Sequence, residues 1–172
     1  AIQISVAMGA IPYCTARTTE KCNKCIDIGA AAAINYEEED FVARIRDLTY
    51  GNGVNYVLDM VGGDYVARNI ECLADKGVHI SIAFLQGPKS QILIPQIMKK
   101  RCTLTGSTLR SRPILEKTDI ASQINEYIWP KLKNKEIKPV IDSIFDFGDT
   151  IKAHKKMENN NHTGKIILTM RG

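Results

Sequence analysis

The sequence predicts an α/β fold in which a doubly wound parallel sheet is covered by helices on both faces. Strand-like apolar runs alternate with segments of helical periodicity through the first two-thirds of the chain, which is typical of βαβ crossovers. Glycines and helix-capping residues separate these segments. The 172 residues are 44% hydrophobic and 24% charged, so the chain can form a packed core.

In the first part of the chain, apolar periodicity and the residues that begin and end helices predict each element. Thr18 is a suitable N-cap, and Gly29 suits the position after a helix C-terminus. The predicted elements, in order, are the end of a helix in Ala1–Ala10, a strand at Ile11–Ala16, a helix between Thr18 and Gly29, a strand at Ala32–Asn35, and a helix with Phe41, Ile45 and Leu48 on one face.

The middle of the chain continues the alternation. The segment Val54–Val61 is dense in β-forming residues and is closed by two glycines, which predicts a strand. The elements predicted after it are a helix with Val66, Ile70 and Leu73 on one face, a strand at Val78–Phe84, and a strand at Thr103–Thr108.

From about Leu109 the pattern becomes less regular. A helix is predicted there, with an interruption at Pro130 because proline lacks the amide donor. The predicted elements are this helix with Ile120, Ile124, Tyr127 and Ile128, an extended segment at Lys138–Phe145, a helix at Thr150–Glu158, a polar turn over residues 159–162, and a strand at Ile166–Leu168.

Composition and charge argue against several classes of function. The net charge is only +4, and the 23 basic and 19 acidic residues are interspersed, so no nucleic-acid partner is predicted. No apolar run approaches the length that spans a bilayer, and the N-terminus shows no secretory signal. We therefore expect a cytoplasmic protein with no membrane partner.

The five cysteines indicate reduced thiols rather than a disulfide framework, because their number is odd and their spacing irregular. Cys22 and Cys25 form a C-x-x-C pair inside a predicted helix, where residues three apart share a face. A zinc site needs further ligands at matching spacing, and a redox pair needs a helix N-terminus. Two core-facing thiols are the favoured interpretation.

The residues after the first predicted strand indicate a cofactor with a 2′-phosphate. At this position of a nucleotide-binding α/β fold, an acid binds the ribose hydroxyl of NAD, whereas cationic and hydroxyl side chains suit the phosphate of NADP. The chain offers Arg17, Thr18 and, one helical turn later, Lys21. Glu20 would oppose a phosphate, unless its place on the helix directs it away.

A set of segments, in order and at consistent spacing, carries a resemblance to a known family: Thr15–Lys21, Ala33–Tyr36, Leu58–Gly63, Gly106–Arg112, Ala153–Glu158 and Gly164–Leu168. Together they resemble the zinc-independent quinone oxidoreductases. These form the zeta-crystallin-like branch of the medium-chain dehydrogenase/reductase superfamily. The likeness covers nearly the whole chain.

The resemblance implies a Rossmann-like sheet that lacks its first strand and glycine-rich loop, together with the C-terminal part of a GroES-like catalytic domain. Residues 1–108 would be a partial NADP-binding Rossmann domain. Residues 109–172 would return to the catalytic domain, most of which is absent. Because the first strand is central in the 3-2-1-4-5-6 order, its absence leaves its two neighbours without a partner.

The resemblance also implies an NADPH site. Lys21 and Tyr36 would approach the adenosine 2′-phosphate. The further candidates for cofactor binding are Arg17, Thr18, Gly62, Ala83, Phe84, Leu85 and His162. Gly62 would let the backbone approach the adenosine or ribose, and the segment from Ala83 to Leu85 would meet the nicotinamide carboxamide through its backbone.

Most of these candidates also have a plainer interpretation. Lys21 is then an exposed helix lysine, Tyr36 a half-buried aromatic residue and Gly62 a turn glycine, and the segment from Ala83 to Leu85 is a strand that runs into a loop. His162 is then part of a surface turn. The family often has glycine where this chain has Ala83 and Gln86, so the backbone approach to the cofactor at that point departs from the family pattern.

The resemblance implies hydride transfer from NADPH to a quinone or enone, with no metal and no catalytic acid or base. The chain alone is expected to be inactive. The alternatives are a non-catalytic NADPH-binding or structural module of the same fold, and an enoyl reductase that differs mainly in its substrate. The predicted strand Thr103–Thr108 would form a homodimer by edge pairing, or would remain a solvent edge guarded by neighbouring cations.

Overall fold

The computed structural model describes residues 1–160 and 162–170. The helices are α1 Ile2–Ala7, α2 Thr19–Asp27, α3 Phe41–Leu48, α4 Tyr65–Cys72, α5 Ile94–Lys100, α6 Ile114–Gln123, α7 Trp129–Lys133 and α8 Thr150–Glu158. The strands are β1 Tyr13–Ala16, β2 Ala32–Asn35, β3 Val54–Asp59, β4 Leu73–Ser81, β5 Thr103–Gly106, β6 Ile141–Asp146 and β7 Lys165–Thr169.

The helix-capping residues act as the sequence predicts. The Thr18 hydroxyl accepts a hydrogen bond from the Lys21 amide at 3.3 Å and begins α2. Asp40 does the same for α3, where its carboxylate accepts from the Ala43 amide at 2.9 Å. Gly29 follows α2 with φ +103°, a conformation that glycine adopts without steric cost.

Strand β4 differs from its prediction at both ends. It begins at Leu73, where α4 passes directly into the strand, and a register shift near the start of β3 absorbs the extra residues. The predicted continuation to Phe84 is wrong. The strand stops at Ser81 because its neighbour β3 ends at Asp59, the residue that pairs with Ser81.

The predicted interruption at Pro130 is also wrong. Helix α6 passes into a π-helical segment, Ile124–Ile128, and α7 follows without a break. Pro130 lies in the first turn of α7, where an amide donor is not needed. The wider π turn changes the hydrogen-bond register just before the proline, so the chain stays helical.

The described strands form three sheets, β1-β2, β3-β4-β5 and β6-β7. Pairing is parallel in β3-β4-β5 and in β6-β7, which confirms the predicted parallel α/β class.

The chain divides into two compact units. Unit 1 consists of Ala1–Ala33 and Ser122–Gly172, and unit 2 of Ile34–Ala121. The predicted domain division at residues 108 and 109 follows the family architecture and stays a prediction.

The larger apolar core lies in unit 2. Its buried apolar residues are Ile34, Phe41, Val42, Ile45, Ile70, Cys72 and Leu73, whereas those of unit 1 are Cys22, Ala30, Ile137 and Ala153. One face of β3 is uncovered, since Tyr56 is 71% and Leu58 is 55% exposed. Parallel strands are normally buried on both faces. Within residues 1–160 and 162–170, no helix has the length and apolar character needed to cross a membrane.

Candidate cofactor-binding site

In unit 2, the structure brings together the two segments that contain Gly62 and the candidates from Ala83 to Leu85. The turn at residues 59–63 (the 59–63 turn) follows β3, and the loop at residues 82–87 (the 82–87 loop) follows β4. The backbone bonds that link them are Ile82 N–H to Asp59 O at 2.7 Å, Leu85 N–H to Met60 O at 3.2 Å, Gln86 N–H to Val61 O at 2.8 Å and Gly63 N–H to Gly87 O at 3.0 Å. Both segments lie at the carboxyl ends of parallel strands, the usual place for ligands in such sheets.

Close packing between these segments accounts for Gly62. Its φ is +69°, and a Cβ atom built there would lie 2.8 Å from Phe84 Cα and 2.9 Å from the Gly87 carbonyl oxygen. The space beside Gly62 is therefore taken by the 82–87 loop. A role for Gly62 toward a cofactor stays a prediction.

The three candidates in the 82–87 loop differ in exposure. Ala83 is partly buried, whereas Phe84 is 66% and Leu85 is 78% exposed. Large apolar side chains at such exposure are available to cover a ligand and exclude water from it.

Behind the 59–63 turn lies a buried pair that the sequence prediction does not include. His79 and Asp59 are 1% and 3% exposed, and His79 Nε2 lies 3.2 Å from Asp59 Oδ2. The other carboxylate oxygen of Asp59 accepts from the amides of Val61 at 2.7 Å and Gly62 at 3.2 Å. The available sequence signal was an acid at the end of one predicted strand and a histidine within the next.

Tyr36 lies in unit 2 at the edge of an aromatic cluster. Its ring is edge-on to Tyr65, with centroids 6.4 Å apart, and Tyr65 stacks on Phe41 at 5.5 Å. The Arg68 guanidinium lies 4.2 Å from the Phe41 ring centroid and forms an ion pair with Asp40 at 2.6 Å. Burial, followed by the neighbouring Tyr36, raises the pKa of Tyr65, so its hydroxyl remains a neutral donor.

In unit 1, Lys21 is tied to the C-terminal turn. Its Nζ donates to the Asn160 carbonyl at 2.9 Å, and Asn160 has φ +52°. Arg17 and Thr18 are exposed on the same strand tip. Glu20 forms an ion pair with Lys24 at 2.9 Å, so the acid at the tip is paired along its own helix.

His162 supplies an unmatched polar atom in unit 1. Its Nδ1 is buried and has no hydrogen-bond partner among residues 1–160 and 162–170. The chain just after it is fixed, because the Thr163 amide donates to Asp142 at 2.8 Å. Lys156 lies 2.5 Å from the other oxygen of this carboxylate. The hydrogen bond from Lys156, followed by that from Thr163, holds the pKa of Asp142 well below its usual range.

Of the two cysteines in α2, Cys22 is buried, as the sequence predicts. Cys25 is only partly buried. Burial and the adjacent Cys25 thiol raise the pKa of Cys14 to about 12, so Cys14 is a neutral thiol near pH 7. In the part of the chain that the structure describes, no group of three His, Cys, Asp or Glu residues is arranged to hold a metal ion.

The candidate residues thus form two groups, each within one unit. Unit 1 holds Arg17, Thr18, Lys21 and His162, and unit 2 holds Tyr36, Gly62, Ala83, Phe84 and Leu85. Whether the members of either group contact a cofactor is a prediction.

Comparisons with known proteins point to one family. The model of the zinc-binding dehydrogenase family matches residues 1–126. The chain is 27% identical over 175 residues to the quinone oxidoreductase of Salmonella typhimurium, covering 98% of this chain and 52% of that protein. It is also 27% identical over 165 residues to a 2-haloacrylate reductase of Burkholderia sp, covering 94% of this chain and 48% of that protein.

Solved structures of quinone oxidoreductases are also similar to this chain. The Escherichia coli quinone oxidoreductase complexed with NADPH matches with a TM-score of 0.82 and 28% identity, covering 98% of this chain and 52% of that one. The Thermus thermophilus quinone oxidoreductase, solved alone and with NADPH, gives a TM-score of 0.82, 25% identity and the same coverage of 98% and 52%. The chain spans about half the length of the curated relatives it matches.

Proposed function

Because the chain belongs to the zinc-binding dehydrogenase family, we propose that it carries the cofactor-binding part of an NADPH-dependent oxidoreductase. The substrate class is a quinone or another activated alkene. The quinone oxidoreductases among its relatives, two of them solved with NADPH, support this choice.

The observation that carries the proposal is the charge arrangement at the strand tip. Lys21 presents a cation whose Nζ is held by the Asn160 carbonyl, and an ammonium group has further donors for a phosphate. The neighbouring acid, Glu20, is paired with Lys24. A tip with a cation, a cap hydroxyl and an acid that is already paired fits a 2′-phosphate better than a ribose hydroxyl.

The unmatched atom of His162 also fits a cofactor. A buried ring nitrogen without a partner costs free energy unless a ligand or water satisfies it. His162 lies two residues after Asn160, whose carbonyl holds Lys21. We therefore assign Lys21, Thr18, Arg17 and His162 to the phosphate-binding surface of unit 1.

Within unit 2, we assign Tyr36 and the paired 59–63 and 82–87 segments to NADPH binding, with Tyr36 toward the 2′-phosphate. NADPH supplies the hydride, and the protein supplies binding and orientation. The backbone from Ala83 to Leu85 would orient the nicotinamide, while the exposed side chains of Phe84 and Leu85 would keep water away from it. In this scheme the described residues contribute to cofactor binding rather than to metal binding.

We propose that this chain alone does not turn over substrate. Its accessible surface is 12,364 Å². Two independent compact domains of half this mass would together expose only about 10,000 Å². Apolar surface such as the open face of β3 therefore lacks a cover. A second candidate function is a binding module of the same fold without catalysis.

A homodimer through β5 also belongs to the proposal. All four residues of β5 are exposed, and the strand is at the edge of its sheet. Two of the nearby cations have partners within unit 2. Lys100 donates to the carbonyls of Ile70, Glu71 and Leu73, and Arg101 pairs with Asp75.

Titration of the protein with NADPH and with NADH, followed by nicotinamide fluorescence, tests the assignment. We expect NADPH to bind at least about tenfold more tightly, because only it carries the phosphate that Lys21 would contact. Equal affinities for the two cofactors would refute the assignment.

A quinone-reduction assay separates the two candidate functions. We expect no turnover by this chain, and measurable turnover would overturn the proposed inactivity. A longer protein that contains this chain reduces quinones under the first proposal. Under the second it binds NADPH without turnover.

A further inference from the structure

We propose that His79 is a positioning residue for the cofactor surface of unit 2. Through its hydrogen bond to Asp59 it fixes the 59–63 turn, and the turn holds the 82–87 loop. The inference rests on the proposed function, since both segments belong to the surface assigned to the cofactor.

The burial of the pair makes each contact significant. The side chains of His79 and Asp59 are 2% and 1% exposed, so water does not compensate a lost partner. Asp59 Oδ2 faces His79, and Oδ1 accepts from the amides of Val61 and Gly62. A carboxylate acts only as an acceptor, so His79 donates through a protonated Nε2. Removal of this donor leaves a buried oxygen unsatisfied, which is costly.

Strand register explains why the two side chains meet. In the parallel pairing of β3 with β4, Val57 is opposite His79 and Asp59 is opposite Ser81. Because side chains alternate along a strand, His79 projects from the same face as Ser81 and therefore as Asp59. The imidazole spans the diagonal between the strands and reaches the carboxylate at 3.2 Å.

The hydrogen bonds continue from Asp59 into the candidate site. Asp59 holds the amides of Val61 and Gly62, and its own carbonyl accepts from Ile82 at 2.7 Å. The turn then accepts from Leu85 and donates to Gly87, so it is bonded to the loop on both sides. At Gly62 the turn packs so closely on the loop that a Cβ atom there would lie 2.8 Å from Phe84 Cα. Because the His79 side chain is only 2% exposed, His79 acts through Asp59.

Amide hydrogen exchange of the full chain, together with NADPH titration, tests the inference. His79→Phe keeps a ring of similar size and removes the donor, whereas His79→Gln keeps an N–H donor. We expect the amides of Val61 and Gly62 to exchange about tenfold faster in His79→Phe. The NADPH dissociation constant should rise about tenfold in the same variant. His79→Gln should restore both values toward those of the unchanged protein.

A matched control is Ile80→Val, which loosens the packing of β4 at the next residue without touching Asp59. It should leave the exchange of Val61 and Gly62 and the NADPH affinity unchanged. An effect equal to that of His79→Phe would mean that general packing of the strand is responsible, and would overturn the inference.

Other outcomes are equally decisive. Unchanged exchange of Val61 and Gly62 in His79→Phe contradicts a hold on the turn, and faster exchange with unchanged NADPH affinity contradicts a role in the site. If His79→Phe does not fold, His79→Asn and His79→Gln give the same comparison, since only the longer amide reaches Asp59. Equal exchange in these two overturns the proposal.

The proposed function fails separately. If the unchanged protein binds no NADPH, the cofactor assignment is refuted and the cofactor role of His79 falls with it. The exchange measurement still decides whether His79 holds the turn.

Discussion

The strand tip of unit 1 and the paired segments of unit 2 are built in opposite ways. At the tip, the proposed cofactor contacts are side chains, and Lys21 donates a hydrogen bond to the Asn160 carbonyl. In unit 2, backbone hydrogen bonds join the 59–63 turn to the 82–87 loop. Asp59 in that turn is hydrogen-bonded to the buried His79. The tip thus presents charged and polar side chains, whereas the paired segments present a surface defined by their backbone hydrogen bonds.

The difference has an energetic meaning. An exposed hydrogen bond contributes little to folding, about 1 kcal/mol, so residues such as Lys21 are available for a ligand at small cost to stability. In contrast, Asp59 is a buried carboxylate with three hydrogen-bond partners, and the loss of one of them lowers the free energy of unfolding substantially. Substitutions at the tip should therefore change affinity, whereas those in the paired segments should change stability as well.

The largest expected effect is that of Gly62→Ala. The new methyl group would meet the backbone of Phe84 at 2.8 Å, at a residue with φ +69°. We expect a loss of about 2–4 kcal/mol in the free energy of unfolding of unit 2, measured by urea denaturation. Gly51→Ala is the matched control, because its φ is +82° but no atom lies within 4 Å of the added Cβ. It should cost only about 1 kcal/mol, and equal losses would show that backbone strain alone is responsible.

A smaller effect, on affinity rather than on folding, is expected for Lys21→Ala. Loss of the cation should weaken NADPH binding about tenfold and leave NADH binding unchanged, because only NADPH has the 2′-phosphate. Isothermal titration with both cofactors measures the difference. Lys152→Ala is the control, since Lys152 on α8 has the same charge but pairs at 2.8 Å with Asp149, which precedes that helix. A parallel weakening of NADH binding would show that Lys21 has no selective role.

The smallest expected effect is on the stability of unit 1 in acid, and it depends on Asp142. The folded protein holds the pKa of Asp142 below its usual value, first through Lys156 and then through Thr163, so the unfolded chain binds more protons in acid. The stabilisation is therefore complete above the unfolded pKa of about 4 and is lost as the pH falls through the lower folded pKa.

Thermal unfolding at several pH values tests this sign. Asp142→Asn should lower the midpoint near neutral pH, and the gap to the unchanged protein should close as the pH falls below about 4. Asp27→Asn, which removes an exposed carboxylate from the same unit, should show no such closing gap. A constant gap for Asp142→Asn would contradict a role for its ionisation.

Local signals in the sequence predicted much of the fold. The cap at Thr18 and the end of α2 near Gly29 were predictable because capping and left-handed glycine conformations depend on neighbouring residues only. The end of β4 was not, because Ser81 is the last strand residue only where β3 ends beside it. Pro130 was mispredicted for a different, local reason, since it follows a π-helical segment and lies in the first turn of α7, where no amide donor is needed.

By itself, the sequence determined the α/β class, the parallel strands and the cationic character of the strand tip, because these follow from periodicity and residue type. The pairing of Glu20 with Lys24 is local, because the two residues lie four apart on one helix. Only the tertiary structure decided that Gly62 is packed against Phe84 and that His79 meets Asp59. The last two depend on strand register and close approach between segments about twenty residues apart. No local pattern of residues encodes such distances, because they arise only when the strands align.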